Sequence, residues 1–426
     1  MGYWLIEDLE QVKVFQNSGY KEAFIEVIPY NDNIHPTQNH VSLVYIRPLL
    51  ASKGYMICVN HSEGLNIEES VIDTLLKKYE ILYTRDKKEI LHYFPLKALI
   101  DINLAPNPYI RPSTITHDIF YGRHKNNKDI NRIIPIVKHY ELCEQIYNDL
   151  LPKMGLEPTK YSKFFNSKVS LAFNYVEKSG MKVDPKIFED YFHEVEGEYV
   201  YNEFHLKSLT TRPSNTFNGV NYLALNKKDG CRKSFVPRND FLWEIDISAY
   251  HPTLASFLVG YKFTTNDIHS QLAEMYGVSY DESKLLTFQQ LYGGVFKKYE
   301  DIEFFKRIKE YQAITLNNYD NVGEVIVPVS SYCLKKEELG EMVAPKLFNY
   351  ILQCLETSVN TLILMDIIRL LIGKKTKIIL YTYDSFLFDV SLDDVDITSE
   401  IKLIFEKYKL NTKEKQGNDY SFATTK

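Results

Sequence analysis

Residues 241–252 read FLWEIDISAYHP, and residues 377–390 read KIILYTYDSFLFDV. Both stretches are rich in β-branched and aromatic residues, which predicts strands, and both place an aspartate, Asp246 or Asp384, at a strand end. An aspartate at the tip of a strand built for burial must be paired, capped or bound to a metal. If the strands lie side by side, the two carboxylates form a site for paired Mg²⁺. Taken singly, Asp384 also fits a hairpin turn and Asp246 a helix N-cap.

A helical pattern lies between these two stretches. Residues 282–294 read ESKLLTFQQLYGG, so Lys284, Phe288 and Tyr292 recur every four residues and share one helix face. The lysine can donate to phosphate oxygens, and the two rings can pack on a sugar and a base. An amphipathic helix with two rings in the core and a surface lysine explains the same pattern.

Two further patterns fit contact with nucleic acid. Asn349 and Gln353 share a face of a helix predicted to run to about residue 371, where amides can read acceptors in the minor groove. The loop 227–238 carries five basic residues and one acid, which can contact phosphates. Exposed polar helix residues and a solvated turn are the plainer interpretations.

Composition sets the limits on these interpretations. The chain has 426 residues, a formal charge of −6, 45% hydrophobic and 25% charged residues, which excludes a disordered or fibrous protein and predicts two or three domains. The acidic total argues against a surface that is basic throughout, but permits a local basic cleft. The five scattered cysteines lack zinc-ligand spacing and indicate a reducing compartment.

No signal peptide or membrane span is predicted. The N-terminus lacks a basic region followed by an apolar run, and residues 361–373 are interrupted by Asp366 and Arg369 and are short for a bilayer. We therefore expect a cytoplasmic protein without a membrane partner, in the host cell cytoplasm if it is encoded by a phage.

The first hundred residues predict an α/β unit. Strand patterns occupy residues 22–28, 40–47, 54–60 and 80–83, with a helix pattern over 67–78. Residues 101–130 contain several prolines and a basic cluster, which predicts a linker. Helices are expected over 136–151 and 162–178.

The order and spacing of the motifs resemble the polymerase module of family A DNA polymerases, the DNA polymerase I group. Asp246-Ile247-Ser248 is similar to the first palm motif of that family, Lys284…Phe288…Tyr292-Gly293 to its fingers helix, and Asp384 to its second palm aspartate. The resemblance runs from about residue 176 to the C-terminus, and its remaining parts are residues 176–184, Arg212-Pro213-Ser214, Asn218 to Asn221, residues 230–235, and Asn349 with Gln353.

The resemblance implies a template-directed DNA polymerase that extends a primer 3′-OH with dNTPs by a two-metal mechanism. It implies two Mg²⁺ ions, with Mn²⁺ as an alternative, and primer–template DNA as partner. The implied catalytic residues are Asp246, Asp384 and Lys284, and the implied metal-binding residues are Asp246, Asp384 and Ile247. The nucleotide would be bound by Lys284, Phe288, Tyr292, His251 and Tyr280, and the DNA by Arg212, Asn218, Asn221, Arg232, Asn349 and Gln353.

Several positions depart from the family pattern. Tyr280 stands where the family has an arginine for the triphosphate, and His251 where it has a glutamate that blocks a ribose 2′-OH. Tyr383 replaces a histidine before the second aspartate, and Ser385 replaces an acid after it. An Asp-Ser pair also occurs in single-subunit phage RNA polymerases, so an RNA-synthesising relative stays open.

The predicted fold class is α/β and α+β, with a ribonuclease-H-like N-terminal domain followed by an antiparallel polymerase palm and helical fingers. Residues 1–125 would be a degenerate 3′–5′ exonuclease-like domain without proofreading, 126–211 a helical linker and reduced thumb, and 212–426 the palm and fingers, with fingers at about 265–345. Only 27 residues, 185–211, are available for the thumb. An accessory protein is therefore expected to replace it, and a catalytically reduced DNA-binding subunit is the other alternative.

Overall fold

The computed structural model describes residues 3–16, 19–104, 129–217 and 220–422. The chain divides into two compact units, Met1–Asn174 and Tyr175–Lys426, each with its own core. This division lies between the predicted domain boundaries at 125 and 211. The finer subdivision into linker, thumb, palm and fingers stays a prediction, and most of the proline-containing linker predicted over residues 101–130 lies outside the described residues.

The first unit is built on a mixed sheet of six strands in the order β1-β4-β3-β2-β5-β6. β2, β3 and β4 are antiparallel neighbours, whereas β5 runs parallel to β2 and β6 runs parallel to β5. The strands are β1 Trp4–Ile6, β2 Glu22–Pro29, β3 Val41–Pro48, β4 Tyr55–Cys58, β5 Ile81–Thr84 and β6 Leu99–Asp101.

Apolar side chains cover both faces of this sheet. Ile25, Val27 and their neighbours pack with residues of the early helices, whereas Phe24 and Tyr45 pack with Cys143 and Ile146 on the other face. The near-continuous burial of β2 and β3 follows from this two-sided cover. The helices are α1 Leu9–Gln16, α2 Glu69–Leu76, α3 Lys87–Tyr93, α4 Ile136–Leu150, α5 Lys160–Phe164 and, after a π-helical turn, α6 Ser170–Ser179, which contains the division between the units.

The second unit is centred on an antiparallel sheet in the order β15-β16-β12-β17. Leu242, Leu380 and Leu387 pack in the core cluster of this unit, and Phe386 packs against the ring of Phe405 at 5.2 Å between centroids. The strands of this unit are β7 Met181–Lys182, β8 Tyr199–Val200, β9 Phe204–His205, β10 Ser214–Phe217, β11 Val220–Asn221, β12 Phe241–Ile247, β13 Glu324–Ile326, β14 Cys333–Lys335, β15 Lys377–Thr382, β16 Ser385–Val390 and β17 Thr412–Gly417.

Helices surround the sheet of the second unit. They are α7 Pro185–Glu189, α8 Tyr250–Leu258, α9 Ile268–Tyr276, α10 Tyr280–Gly293, α11 Glu303–Val322, α12 Lys336–Leu339, α13 Ala344–Leu371 and α14 Ile397–Lys407. By length and composition α13 could cross a membrane, but 72% of its most apolar window is buried inside the protein. That burial is typical of a core helix.

The main elements agree with the sequence patterns. The two aspartate-bearing stretches are strands, residues 282–293 lie in α10, and Asn349 and Gln353 lie on α13. One expectation was wrong: the apolar and aromatic residues of the stretch 221–225 predict a strand, whereas residues 222–224 form a 3₁₀ turn after β11. The side chain of Asn221 accepts a hydrogen bond from the main-chain N–H of Leu223, which closes this turn.

Candidate active site

Two carboxylates lie together at one edge of the central sheet. Asp246 is the penultimate residue of β12 and pairs directly with Ser385 on β16. Asp384 is in the two-residue turn between β15 and β16. The N–H of Ile247 donates to the carbonyl oxygen of Asp384 at 2.7 Å, so the end of β12 is fastened to this turn. The antiparallel pairing therefore brings the two aspartates side by side, as the sequence predicted.

The environment of these acids opposes their negative charge. Burial raises the pKa of Asp246, and the neighbouring Glu244 raises it further. The pKa of Asp384 is raised to about 6, first by desolvation and then by the charge of Asp246. Burial and repulsion by neighbouring acids disfavour the charged form of both aspartates, and a divalent cation bound between them would offset that effect.

The turn that carries Asp384 is held by a buried amide. Tyr383 adopts a positive φ of 61°, which a non-glycine residue rarely does. Asn360 on α13 donates to the carbonyl oxygen of Tyr383 at 2.7 Å and to the hydroxyl of Tyr381 at 2.8 Å. Its own oxygen accepts from the hydroxyl of Tyr250 at 2.7 Å. These bonds fix the turn, and with it the position of Asp384.

The predicted helix face is present on α10. Ser279 caps the helix, and Lys284, Phe288 and Tyr292 lie along one side, each between 37% and 38% exposed. The rings of Phe288 and Tyr292 are nearly parallel, with centroids 5.8 Å apart. Since both rings remain partly exposed, this face is not a core stripe, and the amphipathic-core interpretation of the pattern does not hold.

A cavity of about 670 Å³ joins this helix face to the two aspartates. Its lining brings together nine of the residues singled out from the sequence: Arg212, Asp246, Ile247, His251, Tyr280, Lys284, Phe288, Tyr292 and Asp384. Tyr280 lies under the ammonium of Lys284, 4.2 Å from Nζ to the ring centroid. His251 is buried, and its Nδ1 lies 2.7 Å from the hydroxyl of Tyr292.

The other predicted DNA contacts lie outside this cavity. Asn349 and Gln353 are half-buried and contact each other at 3.3 Å. Arg232 stacks over Tyr420 at 4.4 Å and donates to the carbonyl oxygen of Leu225. Asn221 closes the 3₁₀ turn, and Asn218 falls outside the described residues. Contact of these residues with DNA stays a prediction.

Three cavity residues were missed by the sequence analysis. Glu356 is a buried acid on α13, and no sequence motif marked it. His269 on α9 is buried, its Nδ1 has no hydrogen-bond partner among the described residues, and its pKa is lowered by burial and by the charge of Lys284. Lys413 lies opposite Asp246 on β17 and forms no salt bridge among the described residues. All three residues lie on different elements and outside the motifs, so only the folded structure shows that they line the same cavity.

The second unit thus combines an antiparallel sheet that carries paired aspartates with a facing helix that presents a lysine and two rings. Among solved structures, the POL domain of Pol1 from M. smegmatis, in complex with DNA primer-template and dNTP, is similar with a TM-score of 0.66. The match covers 99% of this chain and 100% of that one, at 12% sequence identity. No family model and no curated protein sequence matches the chain. The chain therefore has the fold of a DNA polymerase I polymerase domain, as the motifs implied.

Proposed function

We propose that this chain is a template-directed DNA polymerase that extends a primer 3′-OH with dNTPs. The observation that carries the proposal is the pairing of Asp246 and Asp384 at one sheet edge, across a single cavity from Lys284. Paired acids facing a cation are suited to binding a triphosphate together with divalent metal ions. The similarity in fold to a solved DNA polymerase domain supports the same conclusion.

The residues present fit two Mg²⁺ ions. Asp246 and Asp384 would hold them, and the raised pKa of each acid shows that the nearby cations, Lys413 and Arg212 among them, do not offset the effect of burial and of the neighbouring acids. When bound, the ions would stabilise the attacking and leaving oxygens of the displacement. A ligand role for Ile247 stays part of the proposal.

The chain's own groups would seat the nucleotide. The ammonium of Lys284 would donate to phosphate oxygens, while Phe288 and Tyr292 would pack against the base and sugar. Lys413 and His269 line the same cavity and offer further donors. Lys413 can supply the positive charge that Tyr280 does not, whereas His269, with its lowered pKa, offers a hydrogen-bonding group rather than a charge.

We propose that the first unit is ribonuclease-H-like and does not proofread. The antiparallel order of β2, β3 and β4, with β5 and β6 parallel to β2, supports that fold. A metal-dependent exonuclease needs several free carboxylates, but Glu26 on β2 is buried against the guanidinium of Arg85 at 3.3 Å. Arg85 also contacts Glu89 at 3.3 Å, so a cation of the protein itself lies between these two acids.

The other acids of this region are also engaged with the main chain. Asp86 caps α3 by accepting from the N–H of Glu89 at 3.1 Å. Asp101 accepts from the N–H groups of Lys87 and Asn103. These hydrogen bonds occupy carboxylate oxygens that a metal site would need, which supports the proposal that the first unit does not proofread.

We further propose that the thumb is reduced. Residues 185–211 contain the five-residue helix α7 and the two-residue strands β8 and β9. Elements this short offer little surface for holding a duplex. An accessory protein that adds grip is therefore part of the proposal.

Primer extension with Mg²⁺ tests the polymerase proposal. The wild-type chain is expected to extend a labelled primer on a template, and Asp246→Asn and Asp384→Asn to lose at least ~10²-fold in rate because each removes a metal-binding charge. Asp393→Asn is the matched control, since Asp393 is 69% exposed and its salt bridge within the described part of the chain is to Lys375. Equal inertness of the wild type and both aspartate variants would reject the proposal.

The same assay separates the two alternatives. Salt-dependent DNA binding without any metal-dependent synthesis would indicate a DNA-binding subunit. Faster incorporation of rNTPs than of dNTPs would indicate an RNA-synthesising relative.

A further inference from the structure

Glu356 is a buried acid at the centre of the cavity wall. It lies on α13, three residues after Gln353, and is 1% exposed. Its Oε2 lies 3.1 Å from Nε of Arg212 and 3.3 Å from Nε2 of His251. A buried carboxylate is costly unless charged or polar groups satisfy it, so these two contacts hold the side chain where it is.

The contact with His251 continues to the helix that carries Lys284. Nδ1 of His251 lies 2.7 Å from the hydroxyl oxygen of Tyr292 on α10. An ionised carboxylate only accepts hydrogen bonds, so Nε2 of His251 carries the proton and donates to Glu356. When the Nε2 proton is the single ring proton of His251, Nδ1 accepts and the Tyr292 hydroxyl donates to it. Glu356 thus sets the direction of both hydrogen bonds and, through them, the placement of the Tyr292 ring.

The contact with Arg212 leads to the turn that carries Asp384. The guanidinium of Arg212 lies over the ring of Tyr383, with 3.7 Å between the central carbon and the ring centroid. Tyr383 directly precedes Asp384 in the turn between β15 and β16. Glu356 therefore holds a cation in place beside the paired acids.

One carboxylate thus connects four segments that meet at the cavity. His251 belongs to α8, Tyr292 to α10 and Glu356 to α13, and Arg212 precedes β10. Both residues at the ends of these contacts, Tyr292 and Arg212, line the cavity.

We propose that Glu356 is a positioning residue of this site, which orients Tyr292 through His251 and holds Arg212 beside Asp384. The inference rests on the proposed function, because the nucleotide is what Tyr292 would contact. It adds a residue to the site that neither the motifs nor the fold assigns.

Steady-state kinetics of nucleotide incorporation test the proposal. Glu356→Gln keeps the shape but removes the charge, and is expected to raise KM for dNTP about tenfold, as for weakening a hydrogen bond to a charged group, with a smaller change in kcat. Tyr292→Phe removes only the hydroxyl and should raise KM similarly. Asp366→Asn is the matched control on the same helix, because Asp366 pairs with Arg369 and Lys407 away from the cavity.

A double variant distinguishes positioning from general damage. If Glu356 acts on Tyr292 through His251, Glu356→Gln combined with Tyr292→Phe will have nearly the KM of the single variants, since both break the same chain of hydrogen bonds. If the increase in KM of the double variant equalled the product of the two single-variant increases, the proposal would be contradicted. Unchanged KM in Glu356→Gln, with an active wild type, would also overturn it, whereas an inactive wild type would instead reject the polymerase function.

A spectroscopic measurement needs no activity. In the ¹⁵N NMR spectrum of the wild type at neutral pH, His251, assigned by its loss in His251→Gln, is expected to carry its proton on Nε2 and to have an unprotonated Nδ1. A proton on Nδ1 would overturn the proposal even if Glu356→Gln failed to fold. In Tyr292→Phe the Nδ1 resonance should shift, because it loses its donor.

Discussion

Asp384 lies in the turn between β15 and β16 with its side chain exposed to the cavity, yet its pKa is raised to about 6 from an ordinary value of 3.8. Protein atoms crowd the turn on one side and remove water from the carboxylate, and the charge of Asp246 adds to this effect. Its folded-state pKa is above the unfolded value. Without a metal, Asp384 therefore lowers the stability of the fold progressively as the pH rises from about 3.8 to about 6, and the full penalty persists above that pH.

Magnesium binding should reverse this penalty in a pH-dependent way. At pH 7.5, saturating Mg²⁺ is expected to raise the melting temperature by about 2–5 °C, because the ion binds only the folded site. At pH 5 the rise should be smaller, since Asp384 with a pKa of about 6 is then mostly protonated and must release its proton to bind metal. Differential scanning fluorimetry with and without Mg²⁺ measures both.

The aspartate variants supply the controls for this measurement. Asp246→Asn and Asp384→Asn should lose the Mg²⁺-dependent rise, whereas Asp393→Asn on the surface should keep it. A full rise in both site variants would place the metal elsewhere.

At the scale of elements, the loop before β12 is anchored by a buried acid on β16. Asp389 is fully buried and accepts from the N–H groups of Arg238 and Asn239 at 2.8 and 3.0 Å. The guanidinium of Arg238 also pairs with Asp389 and donates to the carbonyl oxygens of Ser179 and Gly180. Arg238 was counted in the sequence as part of a basic phosphate-contacting loop, but the structure uses its charge inside the protein.

Removal of this anchor should destabilise the second unit. Asp389→Ala leaves a half-buried guanidinium and two N–H groups without their acceptor, and is expected to lower the free energy of unfolding by about 3–5 kcal/mol. Urea unfolding followed by circular dichroism measures the change. Asp393→Ala, which breaks an exposed pair with Lys375, should change it by less than about 1 kcal/mol. Equal effects of the two variants would mean that Asp389 is not an anchor.

Most of the helices and strands were predictable from local sequence patterns. Runs of β-branched and aromatic residues indicate strands, and the four-residue recurrence of Lys284, Phe288 and Tyr292 indicates one face of a helix, so a single stretch of sequence suffices to predict each of them. The 3₁₀ turn at residues 222–224 was missed because a side chain, Asn221, competes with the strand for a main-chain N–H.

At the scale of the whole molecule, the first unit has a well-packed sheet but a guanidinium between two of its acids. We expect no 3′–5′ exonuclease activity, because Arg85 takes the place where an acid cluster would otherwise be free to bind metal. Incubation of a 5′-labelled, mismatched primer–template with Mg²⁺ and no dNTPs measures it.

If the primer is shortened in that assay, the variant Glu26→Gln identifies the source of the nuclease activity. Primer shortening that disappears in Glu26→Gln would show that the first unit is an active exonuclease and would contradict the expectation. Shortening that persists in Glu26→Gln would point to a contaminating nuclease.

The sequence by itself determined the two strands, the helix face of Lys284, Phe288 and Tyr292 and the two aspartates at the strand ends, because residue composition and spacing are local properties of the chain. It also implied the polymerase fold, with which the structural similarity agrees. Only the tertiary structure decided which other side chains join the site. Glu356, His269 and Lys413 belong to none of the motifs, and they meet at the cavity because the folded chain brings α9, α13 and β17 together there. Packing likewise decided that Arg232 and Arg238 use their charges on neighbouring protein groups, since burial and partners depend on the whole fold.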